Sequence, residues 1–202
     1  MSESIRQESP LVERNTRARH QASPANAGIT VRPRPFLACI NLRGDPSDGA
    51  FTDAVRGVTG IDLPTTPNTV ADGDQWRALW LCPDEWYLVG APGAENDAVD
   101  TLEQALAGQH FAVNDVTSGM TTLEISGPRT RDVLAKGCTL DLHPRMFGPG
   151  QCAQTLISHA GVVIRYVDDQ PTLELMVRRS FADYLWVWLE DAALEYGMAA
   201  TE

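Results

Sequence analysis

Cationic side chains are in short supply: 16 Lys and Arg stand against 27 Asp and Glu in 202 residues, giving a formal charge of −11 and an isoelectric point near 4.7. An acidic field repels phosphate backbones and anionic headgroups, so neither nucleic acid nor a membrane surface is an expected partner. Long apolar runs are also missing. None approaches the roughly 20 residues that span a bilayer, and the N-terminus has no basic stretch leading into an apolar one, so a cytoplasmic chain is expected. Cysteine is sparse and unpaired: Cys39, Cys82, Cys138 and Cys152 stand singly, without a CxxC, which points to reduced thiols and away from a disulfide framework.

The motifs that carry chemistry are absent as well. Gly148-Pro149-Gly150 is a lone turn and Gly127-Pro128 lacks the spacing of a dinucleotide or phosphate loop. No GxSxG elbow occurs, and Cys138 with His143 is a poor nucleophile and base pair. Zinc could use Cys138 with His143 or Cys152 with His159, but neither spacing has the paired rhythm of a structural site, and plain buried thiols fit as well. The acidic pairs Asp84-Glu85 and Asp168-Asp169 sit where strands and turns use carboxylates for local hydrogen bonding. The expectation is therefore a chain with no catalytic, cofactor-binding or metal-ligating residue of its own.

What is present is an ordinary globular composition, 43% hydrophobic and 21% charged, enough for a sizeable core. Residues 1–34 form the exception. They are polar and basic-leaning, with Arg14, Arg17, Arg19 and His20 and little apolar periodicity, and read as an extended N-terminal arm. Ser9-Pro10-Leu11 offers a short extended anchor within it. Such an arm is either a disordered terminus or a segment that orders against a partner.

Residues 35–202 read as one α+β unit, or as two subdomains divided near 108. Period-two alternation predicts strands over 36–42, 76–81, 85–89, 110–116, 121–125, 152–158, 161–167 and 172–177. Short turns imply antiparallel hairpins, including a pairing of 110–116 with 121–125 through Thr117-Ser118-Gly119. Residues 64–73 read as loop. Helices are expected over 49–58, 95–107, 128–136 and 181–196, the last capped by Ser180 and carrying Phe181, Leu185, Trp188, Leu189 and Ala192 as its core stripe. Tyr184, Trp186 and Val187 add apolar surface off that stripe, so either the core wraps this helix or another subunit covers it. The architecture expected is α+β, with mixed, largely antiparallel sheets and packed helices.

The run Asn114-Asp115-Val116-Thr117-Ser118-Gly119, then Leu123-Glu124-Ile125-Ser126-Gly127-Pro128-Arg129 and Arg131-Asp132-Val133-Leu134, resembles the folate-binding family of the glycine-cleavage T-protein. Further segments are similar to the sarcosine oxidase gamma subunit family: Ser9-Pro10-Leu11, Cys82-Pro83-Asp84-Glu85-Trp86, Ala135-Lys136-Gly137-Cys138 with Leu140-Asp141-Leu142-His143-Pro144, Gly150-Gln151-Cys152-Ala153-Gln154-Thr155, and Arg179-Ser180-Phe181-Ala182. The resemblance implies a structural subunit beside alpha, beta and delta partners. Together they would demethylate sarcosine oxidatively to glycine, pass the one-carbon unit to tetrahydrofolate and produce hydrogen peroxide. It implies FAD, FMN, NAD and tetrahydrofolate on or between the larger subunits, zinc on the smallest, and no cofactor here. Where T-protein-like chains follow a glycine pair with an acidic residue, this one has Gly161-Val162-Val163-Ile164-Arg165, which implies that folate chemistry is lost. The competing reading is a stand-alone folate-binding or folate-dependent one-carbon transfer protein.

Overall fold

The computed structural model describes residues 7–19 and 26–201. Helix α1 (Val12–Arg19) is followed by strands β1 (Ile29–Arg34) and β2 (Ala38–Arg43), helix α2 (Gly49–Thr59), and strands β3 (Val70–Asp72), β4 (Trp76–Cys82) and β5 (Glu85–Gly90). Next come helix α3 (Glu95–Ala105), strand β6 (Ala112–Asp115), a 3-10 turn at Thr117–Gly119, strand β7 (Met120–Ser126) and helix α4 (Thr130–Ala135). The remaining elements are β8 (Cys152–Ile157), β9 (Ala160–Asp168), β10 (Thr172–Arg178), a 3-10 turn at Arg179–Phe181, helix α5 (Ala182–Ala192) and β11 (Met198–Ala200).

The strands form two sheets, one in the order β11-β1-β7-β10-β9-β8 and the other β3-β4-β5-β2-β6. Only β1 and β11 pair in parallel among the described strands. The two sheets pack back to back through Cys39, Leu79, Leu81, Val89, Cys152, Val163 and Met176. On the outer face of the six-stranded sheet, α4 and α5 close a core that includes Leu123, Ile125, Val133, Leu134, Ile164, Leu175, Leu185 and Trp186. On the outer face of the five-stranded sheet, α2 and α3 cover Ile40, Leu42, Ala78 and Leu88 with Phe51, Val55, Ala98 and Leu102. Four layers follow from two strand faces that are both apolar, since each sheet must bury one face on helices and the other on its twin.

Local sequence explains the boundaries. Asp48 accepts a hydrogen bond from the Ala50 amide and caps α2, while Gly60 at φ 73° ends it in the left-handed conformation. Gly127 has φ 119°, and a Cβ there would lie 2.7 Å from the Gly28 carbonyl oxygen, so only glycine lets the β7–α4 turn pass this close to β1.

Four expectations are corrected. The segment read as an arm contains helix α1 and an internal strand, because Ile29 and Val31 are fully buried and β1 sits between β11 and β7. Leu11, its amide held by the Ser9 hydroxyl, is also fully buried and pins α1 to the outer core. The other positions assigned to the arm, 1–6 and 20–25 with His20, lie outside the described residues. The loop at 64–73 contains β3, which pairs with β4. The 110–116 and 121–125 strands are not a hairpin: β6 pairs with β2 in one sheet and β7 with β1 and β10 in the other, so the Thr117–Gly119 turn carries the chain between sheets. Finally, Ser180 lies in the 3-10 turn before α5, and Phe181 at the N-cap makes no side-chain cap.

Candidate functional site

Two features stand apart from simple core packing. The first is a charged seam between the sheets. Arg77 on β4 donates from Nη1 to Glu174 Oε2 on β10 at 2.8 Å, and Arg165 on β9 donates to the same oxygen at 3.0 Å. The Nη2 of Arg165 then reaches both oxygens of Asp72 on β3, at 2.8 and 3.0 Å. Glu174 is 5% exposed and Arg165 8%. Burial would push the Glu174 carboxyl up, but Arg77 and Arg165 outweigh that and hold it below the ordinary range. Each of the two arginines thus ties one sheet to the other.

The second feature is the outer side of α5. Leu185, Trp186 and Leu189 point into the core, whereas Phe181, Tyr184 and Val187 are 39, 37 and 42% exposed and Leu194 just beyond the helix is 78% exposed. The Tyr184 hydroxyl donates to Ser158 Oγ at 2.7 Å, and its ring stands edge-on to Phe181 with centroids 6.3 Å apart. Leu156 on β8 is also exposed. The expected core stripe needs one exchange: Trp186 is fully buried, with Nε1 donating to Glu190 Oε1 at 2.8 Å, while Phe181 faces outward and Trp188 is only partly buried.

The residues singled out for chemistry are dispersed. Cys138 Sγ lies 3.8 Å from Thr155 Oγ1, and His143 Nδ1 accepts from the Arg145 amide. Cys152 Sγ contacts the carbonyls of Thr69 and Trp80, and the His159 amide donates to the Tyr184 hydroxyl. No group of three or more His, Cys, Asp or Glu could hold a metal ion among the described residues. Asp84 and Glu85 face Arg43, and Asp168 organises its turn by accepting from the Gln170 and Thr172 amides, which lowers its pKa. Gly161-Val162-Val163-Ile164-Arg165 lies on β9, with Val163 packed between the sheets and Arg165 engaged in the seam.

Burial pushes the Cys39 thiol up to about 12 and that of Cys152 to about 11. Alkylation of the native protein at mildly alkaline pH is therefore expected to label the half-buried Cys82 and Cys138 first, and Cys39 and Cys152 only on unfolding. Peptide mass mapping checks this, and fast labelling of native Cys39 would contradict it.

Back-to-back sheets with helices outside define a T-protein-like α+β fold. The glycine cleavage system aminomethyltransferase T from Bartonella henselae shares it at a TM-score of 0.63 and 14% identity, over 95% of this chain and 50% of that one. The family is narrower than the fold. The sarcosine oxidase gamma subunit family model matches residues 43–195, and the chain belongs to that family. It is 33% identical to the sarcosine oxidase subunit gamma of Corynebacterium sp. (strain U-96) over 85% of this chain and 82% of the relative. Identity to the Arthrobacter sp. subunit gamma is 31%, over 87% and 85%. A chain of the heterotetrameric sarcosine oxidase from Corynebacterium sp. U-96, solved with pyrrole 2-carboxylate, superposes at a TM-score of 0.85 with 28% identity, over 97% of this chain and 99% of that one.

Proposed function

We propose that the chain works as the structural gamma subunit of a cytoplasmic heterotetrameric sarcosine oxidase, packed against alpha, beta and delta subunits. The assembly oxidises the N-methyl group of sarcosine by two electrons, which reduce dioxygen to hydrogen peroxide, and yields glycine and a one-carbon unit on tetrahydrofolate. FAD, FMN, NAD, tetrahydrofolate and zinc belong to the other subunits in this reading, and this chain supplies no catalytic residue. Support comes from the family membership and from one observation above all: besides its buried stripe, α5 holds Phe181, Tyr184 and Val187 on its outer side, and the described residues leave them 37–42% exposed beside Asp183 and Asp191. No helix among the described residues is long and apolar enough to cross a membrane.

Co-expression with the three other subunits, followed by measurement of size and stoichiometry, tests the proposal. A chain that never joins the flavoprotein subunits would defeat it. Val187→Lys sharpens the test. Being on the outer side, four residues from both Asp183 and Asp191, it is expected to change the stability of the isolated chain by no more than about 0.5 kcal/mol yet weaken association by about 2 kcal/mol. Unaltered assembly would remove this face from the interface.

A further inference from the structure

A cavity of about 440 Å³ opens where the 3-10 turn between β6 and β7 meets the turn between β1 and β2, with Glu8, Phe36, Glu95, Asp115, Thr121 and Arg179 on its walls. Its volume lies within the range of small-ligand sites. We propose that this cavity binds a cationic nitrogen, an ammonium or guanidinium group, through Glu95 and Thr121.

Two atoms carry the argument. Glu95 is 8% exposed and Thr121 5%, and the Oε2 of the first and the Oγ1 of the second are buried without a hydrogen-bond partner among the described residues. A carboxylate oxygen taken from water with no donor is costly, far more so than a solvated one. Its natural complement is a donor that bears positive charge, and the Thr121 hydroxyl, on the wall of the same cavity, is a further acceptor for such a group. The rest of the lining agrees in sign. Glu8, Glu95 and Asp115 are acidic, against Arg179 alone, and the Nη2 of Arg179 is already given to the main-chain oxygen of Glu8. Asp115 keeps one carboxylate oxygen for its own turn, accepting from the Thr117 amide. The ligand is a nitrogen cation because no three acidic, histidine or cysteine side chains among the described residues come close enough for a metal. Phe36 on the wall holds φ at 64°, a conformation a bulky side chain adopts only when its surroundings impose it.

The test is a titration of methylammonium chloride and guanidinium chloride, at millimolar concentrations, into the isotope-labelled full-length chain, with sodium chloride as the control. Saturable amide shifts at Glu95, Asp115 and Thr121 are expected with the nitrogen cations and not with sodium. Glu95→Gln should bind about tenfold more weakly, as loss of a charge-assisted bond implies. Thr121→Val serves as a second variant should the first fail to fold, and it should also weaken binding. Shifts that never saturate, match those from sodium, or survive both variants unchanged would overturn the proposal. Repeating the titration on the assembled complex separates the two sources of such a group. Retained binding assigns a free small amine, and binding lost on assembly assigns a lysine or arginine of another subunit.

Discussion

Replacing Glu174 by alanine is expected to lower the free energy of unfolding by about 3 kcal/mol, because it leaves the buried Arg165 and the partly exposed Arg77 facing each other without their shared carboxylate. Arg77 and Arg165 both spend their Nη1 on Glu174, and the side chains of Glu174 and Arg165 are nearly out of reach of water. Relief is partial and reaches Arg165 alone. Asp72, the other carboxylate in the seam, is half-exposed and already meets Arg165 through both oxygens. Chemical denaturation of wild type and variant measures the loss, and a change under about 1 kcal/mol would mean that water reaches the seam freely. Replacing Glu174, Arg77 and Arg165 together by apolar residues of similar size should recover much of the loss, since a packed apolar cluster competes well with a buried ion pair.

The same carboxylate sets a pH dependence. Its pKa in the folded protein lies below the ordinary glutamate value of 4.5, so the unfolded chain takes up the proton first as pH falls. The stabilisation is fully present above 4.5 and is lost as pH drops through the lower folded value. The stability gap between wild type and Glu174→Gln should therefore be constant near neutrality and shrink below pH 4.5. A gap that widens on acidification would show that the two arginines do not control this group.

Trp186→Ala carries the second large effect, about 3–5 kcal/mol of stability. Trp186 is fully buried in the core between α5 and the six-stranded sheet, in company with Leu185 and Leu189. Truncation removes the transfer free energy of an indole and leaves a cavity that helix and sheet cannot close without shifting. The Nε1 bond to Glu190 matters less, because that glutamate is only half-buried and finds water instead. Trp186→Phe keeps most of the volume and should cost much less. A thermal or denaturant midpoint that barely moves in Trp186→Ala would place this side chain outside the packed core. The contrast with Val187 one position away is the useful one, as the inner neighbour is expected to affect folding and the outer one, under the proposed function, association.

How legible these features are in the sequence differs from element to element. The β8–β9–β10 meander reads directly, because its apolar alternation and two short turns leave no other pairing within reach. Helices α2 and α3 lie within two residues of the expected 49–58 and 95–107. The seam is not legible in this way. Glu174 lies between Leu173 and Leu175, and alternation alone assigns a charge in that position to solvent. It is buried because a second sheet covers that face, a fact no local pattern records. The 3-10 turn at Thr117–Gly119 is misread for a related reason, since a short link between two strands suggests a hairpin whether or not they share a sheet. The carboxylate of Glu95 is likewise an ordinary acidic residue in the first turn of a helix until the turns around it close over it.

What the sequence determined by itself is most of the strands and helices after residue 35, the α+β class, the family, and the surplus of apolar surface on the last helix, since all of these rest on periodicity, turn chemistry and motifs within a few residues of one another. Tertiary structure alone decided which strands share a sheet, that 29–34 is an internal strand, and which charges are buried. These depend on contacts between segments far apart in the chain, where Arg77 meets Glu174 and β1 meets β11, and the free energy of such contacts comes from burial that exists only once both sheets are assembled.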